Sequence, residues 1–262
     1  MSLRVRVWMV ALGLGLGLGL LPGVARAAVA CPQPLVVSFL DGEFPPFLYG
    51  NGTQFATPKP GWAVEWVRQT LAELGCEASL TRGPFRRTAQ QMAVDAVQIA
   101  VGFAHLPERE LTMRFPHRAD GSLDDRLALL TTDVVLFGLV EPRGGAAGQV
   151  VRKVGIVTGS IEESVARERR LPMEAAPTHR ANLAKLRAGR IDLVLGVRQV
   201  FSASELVAEP AVQVLEPPLQ VVRYFAPTSQ ALYERHPDFV KAFWLGMCER
   251  ARRQTQRPAA CQ

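Results

Sequence analysis

Two segments, one near residue 95 and one near residue 190, follow the same pattern, and this echo limits the fold more than any other feature. Ala93-Val-Asp95-Ala-Val-Gln-Ile-Ala-Val-Gly102 passes from a helix end through a polar turn bearing Asp into an apolar strand that stops at Gly. Ala188-Gly-Arg-Ile-Asp192-Leu-Val-Leu-Gly196 does the same. Strands and helices alternate upstream of each. In the first half, strands are expected at Leu35–Phe39, Cys76–Leu80 and Ala96–Val101, with helices over 61–74 and 85–94. Ala63, Val67, Leu71 and Leu74 fall on one stripe of the first helix, and Gly75 is a natural stop. After residue 150, strands at Val154–Val157 and Ile191–Leu195 alternate with helices starting near Ser160 and Arg180. Such alternation implies right-handed βαβ units and mostly parallel sheets. The expectation is therefore two similarly wound α/β lobes. Two β-prone runs, Leu129–Val140 and Leu219–Phe225, read as paired crossings between them, and helices are expected at 230–235 and 237–253. This places lobe 1 at 28–132 plus 224–262 and lobe 2 at 133–223, with hinges near 131–140 and 219–226.

Residues 1–27 read as a cleaved leader. Arg4 and Arg6 precede an apolar run, Trp8–Leu21, and Ala25-Arg26-Ala27 supplies a small-x-small cleavage site. A membrane anchor needs about 20 apolar residues, and the alternating glycines weaken this run as a helix. Lipidation at Cys31 is disfavoured, because Ala28-Val29-Ala30 lacks the expected Leu. The leader carries three arginines and no acid, so the formal charge of +6 falls to +3 on its removal. The remaining basic residues are scattered, which gives nucleic-acid binding no support. Export favours disulfides among Cys31, Cys76, Cys248 and Cys261 over buried thiols. Three connectivities are open. Cys31–Cys76, joining two strand starts, and Cys248–Cys261, pinning the tail to the last helix, are preferred. No metal site is expected, since there is no Cys-x-x-Cys and the four histidines are dispersed.

Four segments carry a family likeness. The opening strand runs into Asp41-Gly-Glu-Phe44-Pro-Pro-Phe47, and the third strand leads through Gly102-Phe-Ala-His-Leu-Pro-Glu-Arg109. Val154-Gly155-Ile-Val-Thr-Gly159-Ser160 opens the second half, which also contains Ala188-Gly-Arg-Ile-Asp192. In this order and spacing the chain resembles the periplasmic solute-binding proteins of ABC importers, of the amino-acid-binding type (family 3). The resemblance implies the type II periplasmic-binding-protein fold, in which two lobes joined by two β crossings close on a small-molecule ligand. It also implies a periplasmic monomer serving an inner-membrane ABC permease, without cofactor.

Arg109 follows the first-lobe strand at the sheet edge where open α/β folds bind ligands. Its fixed fork of donors suits a carboxylate, and the matching family residue holds one. Surface pairing with Glu108 or Glu110 is the plainer alternative. Ser160-Ile-Glu-Glu163 has the form of a capping box, so a helix N-terminus is expected there, offering free N–H groups from Gly159 and Ser160 to an anion. Phe44 stands where the family often places an aromatic over the ligand side chain, with ordinary core packing the plainer alternative; Asp41 could meet a cationic group, and Phe103 and Ala104 would contribute backbone groups. The chain departs from the family at Val197, where an acid commonly binds the ligand ammonium, and Arg198 follows it. That departure shifts the expectation towards a carboxylate or other anion lacking an ammonium. Two other classes compete. An enzyme on this scaffold, such as a cyclohexadienyl or arogenate dehydratase, needs an acid or base in the cleft, for which Glu43 and His105 are candidates. A ligand-presenting sensor component needs a membrane partner.

Overall fold

The computed structural model describes residues 29–141, 153–257 and 260–261; the leader read over 1–27 lies outside them. The elements in chain order are β1 (Val36–Leu40), β2 (Gly50–Asn51), β3 (Gln54–Phe55), α1 (Trp62–Leu74), β4 (Ser79–Gly83), α2 (Phe85–Ala93), β5 (Ile99–Val101) and β6 (Phe103–Ala104). A 3-10 turn (Pro107–Leu111), β7 (Met113–Arg114), a second 3-10 turn (Asp125–Leu127) and β8 (Leu130–Leu139) complete the first half. Then come β9 (Val154–Val157), α3 (Ile161–Glu168), β10 (Met173–Ala176), α4 (His179–Arg187), β11 (Leu193–Val197) and α5 (Ala203–Val207). The chain ends with β12 (Val212–Phe225), β13 (Thr228–Ser229), α6 (Gln230–Arg235) and α7 (Pro237–Thr255).

The echo in the sequence is an echo of topology. One sheet has the order β4-β1-β5-β13-β7 and the other β10-β9-β11-β8-β12-β6. β1 lies between β4 and β5, and β9 between β10 and β11, with each set of three parallel. Each Asp of the echo anchors its turn differently. Asp95 accepts hydrogen bonds from Ser229 and Arg235, whereas the Asp192 carboxylate accepts from the Lys153 backbone N–H at 2.9 Å.

β8 and β12 pair antiparallel from Leu130 opposite Tyr224 to Leu139 opposite Val212. The register shifts between Leu215 and Gln220, across Pro217-Pro218, which have no N–H to donate. The end of β12 pairs with β6, Tyr224 against Ala104 and Phe225 against Phe103. The two β runs thus pair as the sequence suggests, although β12 begins at Val212, well before residue 219.

Other boundaries move for local reasons. β4 starts at Ser79 and runs to Gly83, because Arg82 and Gly83 are buried beside Phe39 and Leu40 of β1. Gly102, at φ +87, ends β5 and turns the chain into β6. β10, Met-Glu-Ala-Ala at a sheet edge, has no apolar alternation to reveal it. α1 matches its stripe, and Gly75 closes it in the left-handed conformation, donating to the Leu71 and Ala72 carbonyls. α7 lies against α1 and buries Phe239, Val240, Phe243 and Met247. Both preferred disulfides form, Cys31–Cys76 and Cys248–Cys261. Closing the first loop, 45 residues long, contributes about 4 kcal/mol in the chain-entropy treatment. No helix among the described residues is long and apolar enough to cross a membrane.

Candidate functional site

The C-terminal ends of β1, β9 and β11 meet at a narrow recess of about 40 Å³. One wall is Leu40, Asp41, Phe44 and Phe85. The opposite wall is Val157, Glu162, His179, Val197 and Val200, and Tyr224 of β12 joins them. Ligands of open α/β folds sit at this end of the strands, where connections leaving neighbouring strands diverge and open a crevice.

Arg82 shapes the first wall. It is buried at the end of β4, and its guanidinium donates to the carbonyls of Leu40 (2.9 Å), Gly42 (2.9 Å), Tyr49 (3.2 Å) and Gln54 (2.6 Å). A single side chain therefore fixes the loop that carries Asp41 and Phe44. Gly50, at φ +129, makes room for it, since a Cβ there would lie 1.9 Å from the Arg82 Nη1. Burial raises the Asp41 carboxyl above its ordinary range, against the pull of its own and the Gly42 N–H, Arg82 and Arg87. Phe44 is buried, with ring contacts to Phe47 and Tyr224.

The second wall holds an acid that the sequence reading missed. Glu162, in the first turn of α3, is 1% exposed. One carboxylate oxygen lies 3.5 Å from His179 Nε2, while Oε2 has no hydrogen-bond partner. Burial lowers the His179 imidazole below its ordinary range, with Glu162 pulling it upward. His179 is therefore a weak counter-charge. The helix dipole steadies a carboxylate in this first turn, but a buried carboxylate with an open oxygen remains short of a donor. Burial and the Glu162 charge also raise the Tyr224 phenol well above its ordinary value.

Arg109 reaches across between the halves of the chain. It is 8% exposed and lies over the rings of Phe103 (5.4 Å) and Phe85 (5.8 Å). Nη1 donates to the Ala104 carbonyl at 2.6 Å and Nη2 to the Gly159 carbonyl at 2.8 Å. Burial lowers its pKa. The structure thus brings Arg109, Phe103, Ala104 and Gly159 into one junction, bordering the recess through Phe85. Glu43 makes a second bridge, accepting from Arg180 at 2.6 Å while its other oxygen accepts from the Gly50 N–H.

α3 does start after Ser160, but not with the expected capping box. The Ser160 hydroxyl donates to the Val157 carbonyl, and Glu163 reaches back one residue further, to the Gly159 N–H at 2.7 Å. The Gly159 N–H is therefore already engaged within the protein. Arg198 is not brought to the recess. It is held by Glu216 (2.6 Å) and Asp133 (3.2 Å) on the paired β12 and β8. The expectation of an anion lacking an ammonium loses its basic residue, and Glu162 supplies an acid that Val197 does not. Of the two enzyme candidates, Glu43 borders the recess but is paired, and His105 pairs with Glu110 outside the recess lining.

This is the two-lobed periplasmic-binding-protein fold. The ligand-binding core of GluR0 from Nostoc punctiforme, in complex with L-glutamate, aligns at TM-score 0.62 and 16% identity, over 84% of this chain and 98% of that one. The amino-acid ABC transporter substrate-binding protein AbpA from Streptococcus pneumoniae, bound to L-arginine, aligns at 0.61 and 18%, over 85% and 89%. A histidine kinase sensor domain with similarity to periplasmic binding proteins aligns at 0.64 and 17%, over 85% and 95%. No protein-family model and no curated protein sequence matches the chain.

Proposed function

We propose that this protein is a solute-binding protein that captures a small, amino-bearing solute between its lobes. The observation that carries the reading is Glu162, buried in the recess wall with an open carboxylate oxygen. An ammonium group supplies the missing donors and charge, and the walls of Leu40, Phe44, Phe85, Val157 and Val197 suit an apolar body. Amino acids lead the class, since two of the similar structures hold L-glutamate and L-arginine. In an amino-acid complex, the carboxylate would take the Gly159 carbonyl's place on Arg109. Closure would turn on β8 and β12, the paired crossings between lobe 1 (28–132 plus 224–262) and lobe 2 (133–223). Ligand favours the closed form by touching both lobes. Two disulfides suit an exported, periplasmic protein, and an ABC permease is the partner this reading implies.

The test is calorimetric titration of the purified protein with a panel of amino acids, simple amines and amine-free carboxylates. Amino-bearing solutes should bind, and Glu162→Gln should weaken them by at least about tenfold, the scale of a lost charge-assisted contact. Tight binding of amine-free carboxylates, undiminished in Glu162→Gln, would refute the assignment. Similarity to the kinase sensor domain favours one second reading, in which the loaded protein presents its ligand to a membrane receptor.

A further inference from the structure

Three residues outside the lining of the recess converge on one another. His105 follows β6, Glu110 lies on the 3-10 turn that carries Arg109, and His117 makes a β-bridge with Leu123. His105 Nε2 lies 2.7 Å and His117 Nε2 3.0 Å from the same Glu110 oxygen, and all three atoms fall within 4.8 Å of one another. We propose that they form a binding site for a divalent late transition-metal ion such as Zn²⁺. The proposal stands apart from the solute reading.

The hydrogen bonding of His117 is the main reason. Its Nδ1 is 2.9 Å from the Phe115 carbonyl, which can only accept, so Nδ1 carries the proton. With Nδ1 so engaged, Nε2 is the ring atom that faces the Glu110 oxygen, in position to share an ion with it. A backbone carbonyl that fixes the imidazole tautomer and ring direction is the usual support of a metal-bound histidine. The trio is also braced. His105 stands edge-on to the buried Phe115 ring at 5.1 Å, and the Gln230 amide donates to the carbonyls of Glu110 and Met113. The side chains are 26%, 34% and 14% exposed for His105, Glu110 and His117, which leaves an open face for water or an outside ligand. Two imidazoles and one carboxylate suit Zn²⁺, Ni²⁺ or Cu²⁺ rather than Mg²⁺ or Ca²⁺. Ligand atoms about 2.1 Å from a tetrahedral ion lie about 3.4 Å apart, so the 2.7 and 3.0 Å contacts to Glu110 would each open by less than about 1 Å. An ion here would also stiffen the turn that sends Arg109 to Gly159.

The experiment uses tag-free protein, freed of metal by chelation and titrated with Zn²⁺ in a calorimeter, with Mg²⁺ as comparison. One equivalent of Zn²⁺ should bind and Mg²⁺ should not. His105→Ala and Glu110→Gln should each weaken Zn²⁺ at least tenfold. Electron paramagnetic resonance of the wild-type protein with one equivalent of Cu²⁺ needs no variant, and should show coupling to two imidazole nitrogens. Absence of Zn²⁺ binding, binding unchanged in both variants, or a Cu²⁺ spectrum without that coupling would overturn the site.

Discussion

The hydrogen bonds of the Arg82 side chain all end on backbone carbonyls: Leu40 at the end of β1, Gly42 and Tyr49 in the loop after it, and Gln54 in β3. Removing the guanidinium leaves those carbonyls to find other donors, each at about 1–3 kcal/mol if it stays buried. Arg82→Ala is therefore expected to lose about 3 kcal/mol in urea unfolding, and to bind solute more weakly because Asp41 and Phe44 lose their support. Unchanged stability would show that the loop holds itself. His179 gives a pH signature. An unfolded histidine takes up its proton near pH 6.5, whereas burial lowers the value in the folded protein. The unfolded chain then binds more protons in that interval, so this stability is full above about pH 6.5 and is lost as the pH falls towards the folded value. Melting temperature should drop over that range in the wild type and drop less in His179→Gln. Parallel curves would remove His179 from the account.

Among the elements, the β9–α3 turn is the most constrained. Gly159 sits at φ +77, and a Cβ there would lie 3.3 Å from the Arg86 backbone N and 3.4 Å from the Phe85 Cβ. Gly159→Ala should cost about 1–2 kcal/mol from the left-handed backbone and loosen the Arg109 contact. Solute affinity should fall more than stability, read by titration beside urea unfolding; unchanged affinity would place this turn outside the closed junction. Elements such as α1, β9 and α6 were legible because periodicity and caps were local. β10 was not, because a short edge strand needs no apolar pattern, and the full length of β12 was masked by Glu216-Pro217-Pro218. The capping box pointed to Glu163, yet its neighbour Glu162 is the acid in the recess, because helix phase turns that side chain inward.

For the whole molecule, the echo between residues 93–102 and 188–196 was enough to foresee two lobes, since topology follows the order of strands and helices. The meeting of lobe walls is long-range and leaves no trace in spacing. That is why Arg198, next to the family's ammonium position, could look like a site residue while pairing with Asp133 and Glu216. It is also why His105 and His117 looked dispersed. The measurement that bears most directly on the central claim is a crystal structure of the protein with the tightest solute from the titration panel. The account predicts the solute between Phe44 and Val197, its nitrogen about 2.8 Å from a Glu162 oxygen. A solute bound elsewhere, or one lying in the recess with Glu162 turned away from it, would contradict the account.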